Sequence, residues 1–440
     1  MSLAPTTQTG AAAPRRTLSD LPLDWATEVT VSELAAAFGG GETERGVALV
    51  AFHSLPTESN LLFTGYVDLR AAELDGAKPA ALKPSISELP ASALPSGAAA
   101  LIEIHARGVS AHIGAAALAS GLTIEPMSPV TVLSGADEDR MSALIAAFWN
   151  VGVRIALPSG SIDAPVVVRF VAPPAGESLI ARTSIDLGPS ARLAVVEELG
   201  DAEAASGPAR RLLATSSEVN LAAHARLDLS SIQQLPGDCA YIATRRHEFG
   251  AGAEMRLAAA QIGARLVRGR IDHRLAGNGA AIRQVEVVFG SGEQLHDLTT
   301  YSLHSGENTI GDLLAKGVFG GRSRGFVKGV TTIPRSGRGT NSYLGEFGML
   351  LSKTARSVAI PSLWIDQPNC ERAAHGSSVG PIDPAQIFYL RSRGYTEAEA
   401  RRAIVMGFLE PVVAALPLED EADRLREALA AKLETALVDR

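Results

Sequence analysis

Cysteine is nearly absent from this chain: 440 residues carry two, Cys239 and Cys370, far apart in sequence. Two such cysteines cannot build a disulfide framework, and without a Cys-x-x-Cys pair they cannot close a zinc or cluster site alone. Aromatic residues make up only 5%, so the core must be filled with small and branched aliphatics in thin layers. Positive charge is not in excess either: 40 Lys and Arg face 48 Asp and Glu, a net charge of −8. That balance excludes a nucleic-acid binder, which needs a basic face to neutralise phosphates. The longest uncharged stretch runs from Gly108 to Ile124, contains His112 and is rich in Gly and Ala. A membrane span needs about 20 strongly apolar residues, so none is expected. The opening MSLAPTTQTGAAAPRR lacks the apolar segment of a signal peptide and reads as a disordered tail over 1–18, with a cytoplasmic location expected. Neither a Walker A sequence nor a GxGxxG after a strand is present.

What is present is a globular composition, 46% hydrophobic and 20% charged, in a chain too long for one compact core. Residues 19–95 read as a mixed, partly helical region. A helix over Val31 to Phe38 stops at Gly39-Gly40-Gly41, and a Pro- and Ala-rich linker runs from Lys78 to Pro95. Within Glu138 to Trp149, Met141, Leu144, Ile145 and Phe148 mark one apolar helix face. Over 96–365 the texture is of short apolar runs broken by Gly, Asn, Asp and Pro. Segments starting at Gly188, Leu221, Gly250 and Gly277 each read as a small-residue turn followed by alternating apolar positions. Their recurrence at roughly 30 residues predicts stacked coils, because a single short strand cannot bury its own face. The fold class expected is mostly β, a right-handed parallel β-helix core, with a β-sandwich as the competing arrangement. Residues 366–440 read as a helical domain: Asp383-Pro384 opens one helix, Thr396 with Glu399 caps a second, and Leu425, Leu429 and Leu433 mark a third. Pro411 is expected to kink or break the second.

Few motifs carry chemistry. Gly321-Arg322-Ser323-Arg324-Gly325 matches the GxSxG pattern of hydrolases but lies between solenoid-like strands, where a tight turn explains it. His296 and His304 lie at an even offset and so share a strand face, with His304 the candidate for a metal-facing role. Cys370 and His375, in QPNCERAAHGSSVG, offer a thiolate and an imidazole of the kind that suits zinc or iron. Two ligands are too few for a closed site, so the others would come from another chain; the competing reading is a loop cysteine with a capping histidine. Cys239 has no such companion and reads as structural.

The stretch HSGENTIGDLLAKGVFGGRSRGFVKGVTTIPRSGRGTNSYLGEFGMLLSKTARSVAIPSLWID, followed by HGSSVGPIDPAQIFYLRSRGYTEAEARRAIVMGFL, resembles the SufB/SufD family of iron–sulfur cluster assembly scaffolds. The resemblance spans Leu101 to Pro417 and is most specific at Leu350-Leu351-Ser352, His375-Gly376, Gly380 and the block from Ile387 to Gly394. SufB-type chains carry cysteine where Leu390 stands, another after the strand matching Val195 to Leu199, and Glu where Gly376 follows His375. The chain therefore resembles the SufD type. Four residues separate Cys370 from His375, unlike the Cys-x-His of many SufD chains; Gly311 precedes Asp312 where the family has Ser; and SLPTESNLLFTGYVDL lacks the family's Trp and Arg.

The resemblance implies a non-enzymatic scaffold subunit with no cofactor stably bound on its own. It implies pairing with a SufB-like chain, and a transient iron–sulfur cluster or iron at the shared interface near His375, with Cys370 and His304 as lesser candidates. A SufC-like ABC ATPase would dock on the C-terminal helices through Phe388, Tyr389, Arg391, Arg393 and Gly394, and ATP hydrolysis would belong to it. The alternatives are a β-helix enzyme acting on acidic polysaccharide, for which no paired carboxylates recur, and a metal-free structural homodimer.

Overall fold

A computed structural model describes residues 23–200 (apart from 61, 64–68, 70, 71, 73 and 75), 210–414 and 419–438. The tail expected over 1–18 lies outside the described residues. The chain winds into a β-solenoid of about eight turns, most turns giving one strand to each of two sheets, of ten and eleven strands. Successive coils pair in parallel and in register, so Arg226 lies opposite Glu254, 28 residues on, and Thr309 beside Thr340, 31 residues on. This is the repeat that the sequence spacing anticipates.

In-register stacking has a simple consequence: residues at one position of successive coils point the same way and form a row along the axis. One inward row reads Val166, Val195, Leu229, Leu257, Gln284, Leu313, Leu344 and His375. Its first seven members are buried and its aliphatics belong to one continuous core. The corners must be narrow for coils to stack, so a Cβ at Gly188 would lie 1.8 Å from Pro158 O.

The two outer faces are covered differently. Helices α1 (Glu28–Phe38), α2 (Glu42–Ser54) and α4 (Arg140–Phe148) pack Leu34, Phe38, Phe52 and Phe148 on Ile180, Leu212, Ala240 and Leu266 of the first sheet. Gly39, in the left-handed conformation, ends α1 as its position predicts. The short helix α3 (Ala115–Ala119) and the antiparallel strands Ala100–His105 and Gly108–Ile113 lie at the start of the solenoid. On the second sheet, α6 (Glu397–Val413) and α7 (Glu419–Val438) set Leu409, Val412, Leu425, Leu429 and Leu433 against Ile262, Val287, Phe289 and Val318. Each such fully buried aliphatic contributes roughly 1.5–3 kcal/mol.

Three local expectations change. The solenoid continues past 365 into the strand Arg372–Pro381, and helices begin only with α5 (Pro384–Ser392). No further coil packs on that strand, so RAAHGSSVGP shows no apolar alternation to reveal it. The Pro-rich linker contains two short strands, Lys78–Pro79 and Ile86–Glu88, which pair with Glu177–Ser178 and Val109–Ala111. Pro411 sits in the last turn of α6 rather than breaking it, and Lys316 Nζ donates to the nearby Phe408 carbonyl at 2.7 Å.

Candidate functional site

The last coil differs from every coil before it. Its strands, Arg356–Ile365 and Arg372–Pro381, are the terminal strands of the two sheets, so each presents an unpaired backbone edge. They are largely half-buried or exposed, and Trp364 (52%), Ile365 (41%) and Val379 (39%) show apolar surface to solvent. His375 stands in mid-strand, exposed, as the final member of the inward row whose previous member is Leu344. In any earlier coil that position is sealed by the coil above. Here no described coil follows and His375 is exposed, while Ser377 occupies the next position on the same face of the strand.

Cys370 lies in the corner turn before this strand, half-buried and with a free thiol. From Arg372 to His375 alone the strand advances about 10 Å, so the thiol sits at the rim and the imidazole at the mouth. The structure does not bring the two together as one ligand pair. His304 is fully buried in an earlier coil, its Nδ1 2.9 Å from Thr309 Oγ1, and burial lowers its pKa to about 4. His296 is likewise buried and held neutral, its pKa about 3. Neither reaches the open end. Ser323 of the GxSxG match is buried, its hydroxyl donating to Gly320 O at 2.7 Å, which makes it a turn residue. Among the described residues no group of three or more His, Cys, Asp or Glu is arranged to hold a metal ion. The described residues alone therefore do not close a coordination shell on His375.

A second surface lies beside the open end. On α5, Phe388 (75% exposed) and Tyr389 (57%) project into solvent with Arg391, Arg393 and Gly394, and the Arg393 guanidinium lies 5.3 Å from the Tyr389 ring centre. A groove of about 650 Å³ between α5 and α6 is lined by Met349, Tyr389, Leu390, Ile404 and Phe408. Exposed aromatics next to arginines are the side chains that most often anchor a partner. Sequence reasoning missed the buried acids Glu286 and Glu346, which line the axis below His375. Their only sequence signal is their place in the coil register, Glu286 opposite Ala315 and Ala315 opposite Glu346.

A family model for the SUF system FeS cluster assembly, SufBD core domain, matches residues 170–408, more than half of the chain. The iron-sulfur cluster assembly protein SufD of Bacillus subtilis is 28% identical over 299 residues, covering 68% of each chain. A SufBD family protein of Staphylococcus epidermidis is 25% identical over 291 residues, 64% of this chain and 60% of that one. One from Mycobacterium tuberculosis is 28% identical over 202 residues, 46% of this chain but 24% of that much longer protein. Among the described residues no helix is long and apolar enough to cross a membrane. With cysteine absent from the SufB-specific positions and the matched core covering most of the solenoid, α5 and most of α6, the chain belongs to the SufB/SufD family of iron–sulfur cluster assembly proteins and is SufD-like.

Proposed function

We propose that this chain is the SufD-type half of a two-chain scaffold on which an iron–sulfur cluster is assembled at the open end of the solenoid. The observation that carries this reading is the inward row of core aliphatics ending in an exposed His375 between two unpaired strand edges. Those edges and the apolar Trp364, Ile365 and Val379 suit a SufB-like chain, whose coils would continue the sheets and bury the mouth. His375 then offers an imidazole nitrogen to iron cargo, with the sulfur donors and any further ligands coming from the partner. Cys370, at the rim, is a lesser contact. The chain acts as a scaffold rather than an enzyme. A SufC-like ATPase docks on Phe388, Tyr389, Arg391 and Arg393 beside the α5–α6 groove and supplies nucleotide hydrolysis.

Co-expression with SufB-like and SufC-like chains tests this, with the mass of the complex read by light scattering and its iron content measured for wild type and His375→Ala. A three-component complex that assembles equally in both but holds less iron in the variant is the expected result. A chain that forms only homodimers, or a variant that loads iron fully, overturns it.

A further inference from the structure

Beside the row that ends in His375 runs a second inward row: Val168, Glu197, Ser231, Ala259, Glu286, Ala315, Glu346 and Ser377. Three carboxyls thus stand on one line inside a solenoid, where an unpaired charge is very costly. The first is neutralised: Glu197 is ion-paired with the buried Arg245, which also donates to Ser231 Oγ at 2.9 Å. Beyond it the row closes on the buried Val168.

Glu286 and Glu346 have no such ion pair. Both are at least 97% shielded from solvent, and Glu346 Oε2 has no hydrogen-bond partner. The opposite wall makes space for Glu346, since a Cβ at Gly329 would lie 2.8 Å from its Oε1. Where the row carries alanine, two small cavities of about 10 Å³ each open. One is bounded by Arg245, Ala259, Gln261, Arg270, Glu286 and Thr300; the other by Glu286, Thr300, Ala315, Lys328 and Glu346. Each has room for about one water and the polar partners to hold it. They share Glu286 and Thr300 as a common wall, and beyond Glu346 the row reaches the exposed Ser377 in the last coil.

We propose that Glu286 and Glu346, with a water site beside each, form a buried proton-exchange column along the solenoid axis that opens only at the last coil. The step it performs is simple: a carboxyl O–H bond breaks, the proton passes to the neighbouring water, and a carboxylate remains. Burial supports this, raising Glu286 to about 7 and Glu346 to about 8. Arg245 and Gln261 oppose the rise at Glu286. At Glu346 the Ile360 N–H and Lys328 oppose it, while Glu286 adds to it. Glu346 therefore holds its proton at neutral pH, while Glu286 exchanges its own there. The column gives the open end a source and sink of protons that bypasses bulk solvent. That use rests on the reading of His375 as the cargo contact; the column itself does not.

Infrared spectroscopy of the isolated chain, with glutamate labelled in its carboxyl carbon, tests the column without any metal. At pH 6 the wild type should show a protonated-carboxyl stretch that shifts promptly in D2O and is lost by pH 9. Glu346→Gln, which is nearly isosteric, should remove part of that band. Ala315→Val, which fills the cavity between the two acids, should slow the deuterium shift of Glu286 at least tenfold and leave that of Glu346 prompt. Circular dichroism and cooperative unfolding check that each variant is folded. A band absent at pH 6, or one that shifts only when the chain unfolds, overturns the proposal. So does a folded Ala315→Val with unaltered exchange at both acids. None of these outcomes depends on iron, so failure of the column and failure of the scaffold reading remain separate.

Discussion

The two ends of the solenoid are built from the same rows and treated in opposite ways. At the start, the antiparallel strands Ala100–His105 and Gly108–Ile113 extend the second sheet, helices α1, α2 and α4 cover the outer face of the first, and the row through Val166 and Val195 is buried. Farther along the first sheet a buried clamp ties this cover down: Arg268 contacts Glu58 at 2.7 Å and Asp297 at 3.1 Å, and Lys328, on the strand next to the last, contacts Asp297 at 2.5 Å. At the finish the same row ends in exposed His375, on a strand with no further described strand paired beyond it. The contrast teaches that hydrophobicity along a row follows whether another coil lies above it. Where the stack stops, the inward position is released from packing and can take a polar, ligand-type side chain.

The comparison breaks most visibly at the clamp. Arg268→Ala leaves Glu58 and Asp297 buried beside one fewer cation, and a loss of about 3–5 kcal/mol is expected. Urea unfolding followed by tryptophan fluorescence reads it, since Trp25 and Trp149 lie under the same cover. Within one row, Leu257→Ala should cost roughly 2–5 kcal/mol through lost burial and a cavity. A drop below 1 kcal/mol would show that the row is not the core.

The acids of the second row add a pH dependence. Between the ordinary 4.5 and about 8 the folded state keeps a proton on Glu346 that the unfolded chain has released. Its contribution therefore falls as pH rises through that window, by at most ~1.4 kcal/mol per pH unit. Glu346→Gln lacks this decline, so its stability should climb relative to wild type from pH 5 to 8; parallel curves would refute the shift. The smallest stability effect belongs to the open end. His375→Leu, which restores the row's aliphatic pattern, should change stability by no more than about 0.5 kcal/mol while iron loading of the complex falls. A large loss of stability would mean that His375 is packed like its predecessors.

Much of this was legible in the residues. The recurring small-residue turns and period-two strands announced stacked coils, and Thr396 with Glu399 announced the start of α6, where both capping hydrogen bonds form. Cys370 and His375 stand out because a thiol and an imidazole, both metal-ligand groups, lie five positions apart. The register was not legible: coils 28 to 31 residues apart carry few identical residues, since each position need only match its neighbours in size. Hence residues 366–381 read as part of a helical domain, and nothing local marks Glu286 and Glu346.

Local chemistry by itself pointed to the class of fold and the helix caps, because turns and alternation are properties of neighbouring residues; the SufD-like character came from likeness to the family. Tertiary structure alone decided that His304 is sealed while His375 is open, that Cys370 stands at the rim, and that two acids share a line with small cavities. Those facts depend on which coil lies above a residue, and that is set by stacking between segments distant in the chain, where burial changes the free energy of an identical side chain.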